Sequence, residues 1–299
     1  MDGTMAVVVG RSSQQAIAQA MDEAEFQRWV RLLESRTGVT VPPERKPFLV
    51  TGLRRRMRET GHAEFGAYYE ELLDGARGAV EWAALVDHLT VHETRFFRHP
   101  PSLKLIRESW LPQWLARTPG DQTLHALSVG CATGEEAWTL AMLFDAALSQ
   151  VVPQRRFGIT ATDVSQSALV VARRATYTLD RLEEIPKQYH DGAFEAIDED
   201  GFRIHERLRS RVGFACVNLL HAARAPLRQL DLIYCQNVLI YFARERRGEL
   251  LDGLARLLRP SGMLVLGPGE VTGWSHPQLA RVEDRQALAF IRNTKETQA

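Results

Sequence analysis

Apolar positions along the first hundred residues follow a helical period. Phe26, Trp29, Val30 and Leu33 recur at i, i+3, i+4 and i+7 behind Asp22, one apolar helix face with its N-cap, and Gly38 supplies the stop. A second helix is predicted from about Glu44 to Thr60, with Leu49, Leu53 and Met57 as its inner seam and Gly61 at its end. A third carries Phe65, Tyr68, Tyr69, Leu72 and Leu73, and a fourth runs near Val80 to Leu89. The pattern predicts a small helical domain over residues 21–98. The small and polar residues 1–20 read as a disordered leader.

His99-Pro-Pro-Ser102 then breaks the chain, with Ser102 read as the cap of a helix holding Leu103, Ile106, Trp110, Leu111 and Leu115. After Pro119-Gly120 the pattern changes. Leu124–Gly130, Phe157–Asp163, Leu230–Gln236 and Gly262–Gly267 read as strands, and Glu135–Gln150, Gln166–Ala175 and Ala243–Leu258 as helices. Strands alternating with helices predict an α/β fold with a doubly wound, mostly parallel sheet over residues 99–299. Such sheets bind ligands at the carboxyl ends of their strands. Within this domain, Phe194–Asp198 and Phe202–His205 flank an Asp-Gly turn, an antiparallel β-hairpin inserted at about 190–210.

Composition narrows the class. Lys plus Arg and Asp plus Glu are 37 each, so there is no basic excess of the kind a bulk nucleic-acid binder shows. Charge is nevertheless local. Residues 44–59 hold six basic residues against two acidic ones, and residues 183–206 hold eight acidic against two basic. At 100° per residue Arg54, Arg55 and Arg58 project away from the Leu49/Leu53 seam, while Arg56 lies nearer it. That face is either solvated or a docking surface for an acidic partner helix or for nucleic acid. The 33 Arg against 4 Lys reflect coding bias more than function. Cys131, Cys216 and Cys235 are too far apart for a zinc motif or a disulfide framework, which fits a reducing cytoplasm. No apolar run approaches the ~20 residues needed to span a bilayer, so the chain does not read as an integral membrane protein.

Two features point to a cofactor. Gly130-Cys-Ala-Thr-Gly134-Glu135 joins the first strand to its helix, and its glycines allow close backbone approach. It is neither G-x-G-x-x-G nor a P-loop. An acid at the helix entrance repels a pyrophosphate but suits a cation such as the ammonium of S-adenosylmethionine. Asp163 ends the next strand, where an acid commonly binds ribose hydroxyls. Alone, this pair fits either S-adenosylmethionine or a dinucleotide.

Thr90-Val-His-Glu-Thr-Arg-Phe-Phe-Arg98 resembles the Thr-x-Asn-x-Thr-x-Phe-Phe-Arg segment of CheR-type chemotaxis methyltransferases, the S-adenosylmethionine-dependent protein-glutamate O-methyltransferases. Ser128–Glu136 is similar to their cofactor loop. Ala161-Thr-Asp163, Val217-Asn-Leu219, Asp231–Phe242 and the Arg54-Arg-Arg-Met-Arg58 stretch with Gly61 and Phe65 agree in order and spacing. The similarity spans residues 22–292 or so. It implies a Rossmann-like methyltransferase domain behind the helical one. It also implies a cofactor site lined by His92, Thr94, Arg98, Glu135, Asp163, Asn218, Leu219, Gln236 and Asn237, with Arg98 and Tyr241 near the transferred methyl. Arg54, Arg55 and Arg58 would face the methylation helices of a chemoreceptor, and the hairpin resembles a β-subdomain that in some members grips a receptor-tail peptide. His92 stands where the family has Asn, Gln236 where it has Arg, and Gly267-Pro-Gly-Glu270 where it has Gly-His-Ser-Glu.

The implied reaction moves a methyl from a sulfonium to a glutamate carboxylate, leaving S-adenosylhomocysteine. A carboxylate is ionised at neutral pH, since Glu titrates near ~4.3, so neither a general base nor a metal is required. Two other readings stay open: a catalytically silent cofactor-binding signalling module, and a nucleic-acid methyltransferase using the arginine helix. The second lacks support at Cys235-Gln-Asn-Val238, which has no Pro where amino-directed enzymes carry Asn/Asp-Pro-Pro-aromatic. Residues after 292 show no helical-repeat pattern, and no long appended interaction domain is expected.

Overall fold

The computed structural model describes residues 20–151, 154–198, 201–224 and 226–294. The leader expected over 1–20 thus lies, but for its last residue, outside the described residues, as do Glu199 and Asp200 of the hairpin turn. The chain divides into two compact units, Met1–Trp29 with Pro42–Leu89 and Val30–Val41 with Thr90–Ala299.

The first unit is helical. α1 (Glu23–Thr37) starts where Asp22 Oδ1 accepts the Glu25 amide at 2.7 Å, the expected cap. Its residues up to Trp29 belong to this unit and those from Val30 to the other. α2 (Lys46–Thr60) follows a turn of 3-10 helix at Pro43–Arg45 and ends on Gly61 in the left-handed conformation. α3 spans Phe65–Leu73, and α4 spans Gly75–Leu89. The first turn of α4 was not expected, because Gly75-Ala-Arg-Gly78 offers no apolar period to read. Phe26, Trp29, Leu49, Leu53, Met57 and Tyr68 are fully buried and form the core. Glu81 is buried among them. It accepts from Arg56 Nε at 2.9 Å and Nη2 at 2.5 Å, and from the Tyr68 hydroxyl at 2.6 Å. Arg56 is therefore part of the packing, as its nearness to the seam implied.

The second unit begins with α5 (Pro100–Leu105), which continues through a π turn at Ile106–Trp110 into α6 (Leu111–Arg117). The cap is His99, not Ser102: His99 Nδ1 accepts the Ser102 amide at 3.2 Å, and Ser102 lies buried in the first turn. Two prolines at the helix start need no amide partners, so the cap sits ahead of them. The remaining elements are β1 (Leu124–Val129), α7 (Glu135–Leu148), β2 (Phe157–Asp163), α8 (Gln166–Arg174), β3 (Thr176–Thr178), β4 (Phe194–Asp198), β5 (Gly201–Ile204), α9 (Glu206–Arg209), β6 (Val212–Cys216), β7 (Leu230–Cys235), α10 (Arg244–Ala255), β8 (Leu258–Leu266), β9 (Leu279–Arg281) and β10 (Leu288–Arg292).

Seven strands form one sheet in the order β6-β2-β1-β7-β8-β10-β9. β6, β2, β1, β7 and β8 run parallel, β10 lies antiparallel to β8, and β9 pairs antiparallel with β10. This is the doubly wound α/β sheet expected. β6, β9 and β10 escape the sequence pattern because they are short and mixed in polarity, with burial too irregular to leave a period. The hairpin is real but is two-thirds of a three-stranded sheet, β3-β5-β4. Three residues of β3 carry no periodic signal of their own.

Residues 90–98 belong to the second unit although the pattern attached them to the helical domain. Phe96 decides this: it is 2% exposed and packs edge-on against Tyr177, 5.0 Å between centroids, and near Phe202 of the small sheet.

Candidate active site

Four loops meet at the carboxyl ends of the parallel strands. The first follows β1. Gly130 and Cys131 amides donate to Thr162 O of β2 at 2.7 and 2.9 Å, turning the chain away from the strand. Gly130 has a φ of 69°, and a Cβ there would stand 2.4 Å from Val238 Cγ2, so no other residue fits. Ala132 is held in the left-handed region at φ 46° by Asp163, whose Oδ2 accepts its amide at 2.8 Å. Asp163 Oδ1 accepts the Ser165 amide at 2.9 Å. Each carboxylate oxygen keeps a second lone pair, so Asp163 can still accept ribose hydroxyls.

The two glutamates that open α7 part ways, as adjacent helical residues must. Glu135 is 2% exposed, accepts from Thr133 Oγ1 at 2.7 Å, and has its carboxyl pushed up by burial. Glu136 accepts from Ser128 Oγ at 2.6 Å. Burial pushes its carboxyl up to about 8, with Glu270 and Asp163 adding repulsion while Ser128 and Arg98 oppose it. Glu136 is thus a second acid at the helix entrance, held by β1, beside Glu135. The sequence reading named only Glu135; the Glu-Glu doublet was the available signal.

The Thr90–Arg98 segment is pinned along its length. Thr90 Oγ1 meets His92 Nε2 at 2.8 Å. Thr94 O accepts from Arg181 at 3.2 Å, the Phe96 amide donates to Glu184 at 2.7 Å, and Arg181 and Glu184 pair at 2.8 Å. The Phe97 amide donates to Thr139 Oγ1 at 3.1 Å, and Phe97 stacks on Tyr189. Arg98 donates to Glu93 O at 2.8 Å. The small sheet is tied to the β1 loop by Tyr177, whose hydroxyl donates to Thr133 O at 2.7 Å.

The other loops hold the remaining expected residues. Asn218 donates to Arg36 O at 2.7 Å and accepts the Leu220 amide at 2.9 Å; Leu219 beside it is partly buried. Gln236 is buried and fully engaged. Its Nε2 donates to Ser102 Oγ and Leu266 O at 2.9 and 3.0 Å, and its Oε1 accepts from Tyr234 at 2.8 Å. As placed, it braces β7 against α5 and leaves no amide donor turned outward. Asn237 follows at φ 60°, and Tyr241 sits on a 3-10 turn at Leu239–Tyr241. Tyr241 O accepts the Thr40 amide at 2.9 Å, beside a bridge between Val39 and Phe242.

The arginines of α2 lie in the first unit. Arg55 and Arg58 are exposed, with Arg55 3.5 Å from Glu59. Arg54 is half-buried, its guanidinium 6.0 Å from the Phe65 ring centroid, which makes it less outward-facing than the helical wheel implied. Among the described residues no His/Cys/Asp/Glu group is arranged to hold a metal, and no helix is long and apolar enough to cross a membrane.

A left-handed Gly/Ala cradle, an acid for a cation, and a strand-end Asp for a ribose together fit S-adenosylmethionine better than a pyrophosphate. The site and sheet have the form of an S-adenosylmethionine-binding domain. Residues 92–288 match the family model "CheR methyltransferase, SAM binding domain", and residues 24–90 match "CheR methyltransferase, all-alpha domain". The chain belongs to the CheR methyltransferase family. It is 33% identical over 269 residues to a "Probable biofilm formation methyltransferase WspC" of Pseudomonas putida, a match covering 89% of this chain and 61% of that one. A chemotaxis protein methyltransferase of Pseudomonas aeruginosa is 30% identical, covering 82% of this chain and 86% of the other. One of Salmonella typhimurium is 28% identical, covering 84% and 85%. The chain thus spans 61% of the length of the first WspC relative, and 56% of the Pseudomonas aeruginosa one.

Proposed function

We propose that the chain transfers a methyl group from S-adenosylmethionine to glutamate side chains of a chemoreceptor, forming methyl esters and S-adenosylhomocysteine. The observation that carries the reading is the loop at the strand ends of a CheR-family domain, where Asp163 takes the Ala132 amide of the β1 turn and Glu136 is held by Ser128 of β1. Glu136 holds the cofactor's ammonium, and Asp163 accepts its ribose hydroxyls. The amides and side chains of Asn218, Leu219 and Asn237 complete the adenosyl pocket, with His92 and Thr94 at its edge. Bound S-adenosylmethionine supplies a methyl activated on a sulfonium.

The chain's own task is positioning and exclusion of water. Arg98 presents a planar fork that fixes a carboxylate in direction as well as charge. Tyr241 offers a hydroxyl beside the transferred methyl. Arg54, Arg55 and Arg58 attract glutamate-rich methylation helices. β4 is an edge of the small sheet, which leaves it able to pair with a receptor-tail peptide. Labelled cofactor incubated with chemoreceptor-bearing membranes tests the reading. Base-labile methyl on protein is expected; label on nucleic acid, or cofactor binding without transfer, overturns it.

A further inference from the structure

The turn after β7 carries Asn237 and Tyr241, and it is clamped from two other elements. Glu270, 3% exposed, reaches it from the loop after β8. Its Oε1 accepts the Leu239 amide at 3.1 Å and its Oε2 the Gly267 amide at 2.8 Å. Burial pushes this carboxyl up, and the amides of Gly267, Asn237, Ile240 and Val238 oppose that by favouring its charge. Arg247 of α10 closes the far side, donating through Nη1 to Glu270 O at 2.7 Å and through Nε to Phe242 O at 3.1 Å.

Two glycines make room for this clamp. A Cβ on Gly267 would stand 2.2 Å from Glu270 Oε2, and one on Gly130 would strike Val238 within the turn. Asn237 sits at φ 60°, a conformation that persists in a non-glycine residue only when its surroundings impose it. A carboxylate gathering several backbone amides is a strong, charge-assisted way to impose it.

We propose that Glu270 is a positioning residue: with Arg247 it holds the Asn237–Tyr241 turn in the conformation that presents Tyr241 to the reacting methyl. Glu270 acts through the turn. The inference rests on the methyl-transfer reading above.

Glu270→Gln keeps the shape but turns an amino group toward one of the donor amides. Its kcat for methyl transfer to receptor membranes falls about 10- to 100-fold, the cost of a misplaced reacting group. Its dissociation constant for S-adenosylhomocysteine rises by only about three- to fivefold, through Asn237 at the adenosyl pocket, because the larger loss falls on Tyr241 in the transition state. Arg247→Ala gives the same kcat-against-affinity split, and carries the test if Glu270→Gln does not fold. Hydrogen exchange reads the turn without any acceptor: amides of 237–242 exchange about tenfold faster or more in either variant. A folded variant with unchanged kcat, or with loss confined to cofactor affinity, overturns the proposal. Wild-type protein that transfers no methyl refutes the functional reading instead. Exchange then decides this inference, supporting it if the 237–242 amides loosen and refuting it if they do not.

Discussion

Replacing Glu136 by Gln should stabilise the ligand-free protein while weakening its hold on cofactor. Burial pushes the Glu136 carboxyl from its usual 4.5 up to about 8, so the fold prefers it protonated. The stability that goes with that preference is complete below pH 4.5 and is lost as the pH rises toward 8. One pKa unit is worth about 1.4 kcal/mol, so the full shift sets a ceiling of about 4 to 5 kcal/mol. The side chain is only half-buried, and solvent reaching it reduces this to about 2 kcal/mol. Gln retains an acceptor for Ser128 Oγ and carries no charge to desolvate. At about 2–4 °C per kcal/mol for a unit of this size, the melting temperature of the apo protein should rise about 4–8 °C at pH 8. At pH 5 the folded state keeps the proton and only the first half unit of the window from 4.5 to about 8 has been crossed, so little of that stability is yet lost and the shift should be within about 2 °C. Scanning calorimetry at the two pH values measures both. The same variant should bind S-adenosylhomocysteine about 10- to 100-fold more weakly at pH 8, since a charge-assisted hydrogen bond to the ammonium is worth about 1.5–3 kcal/mol. Equal shifts at pH 5 and pH 8, or destabilisation at pH 8, would refute the burial argument. Unchanged affinity would refute the assignment of Glu136 to the ammonium.

Three further outcomes follow from the same structure. Arg98→Ala should lose methyl transfer by about a hundredfold or more at saturating cofactor; near-normal turnover would remove Arg98 from the acceptor site. Reversing Arg55 and Arg58 to Glu should raise KM for receptor membranes, steeply at low salt and less at high salt, with S-adenosylhomocysteine affinity unchanged in calorimetry. Insensitivity to the reversal would leave α2 a solvated face. Glu81→Ala should cost about 3–5 kcal/mol in urea unfolding of the helical unit, because Arg56 and the Tyr68 hydroxyl lose a buried partner; a cost under ~1 kcal/mol, the range of an exposed ion pair, would contradict the packing described.

The sequence by itself determined the α/β class, the four-helix N-terminal unit, the core strands of the sheet and the family. Each of these rests on local signals: a hydrophobic period long enough to read, a cap, a glycine at a required φ, a motif at fixed spacing. Asp22, Gly61, β1, β2, β7 and Asp163 are of this kind. The tertiary structure alone decided the rest, because those features depend on residues far apart in the chain. β3 is a strand only because β5 pairs with it, and Thr90–Arg98 joins the second unit only because Phe96 finds Tyr177 and Phe202. Glu135 and Glu136 are indistinguishable as letters; a 100° helical step sends one toward Thr133 and the other toward Ser128 of β1. Gln236 reads as a cofactor ligand from its neighbours in sequence, yet its amide is already taken by Ser102 and Leu266, respectively 134 and 30 residues away. Burial and hydrogen-bond satisfaction are properties of contacts, and a linear pattern records them only where contacts are local.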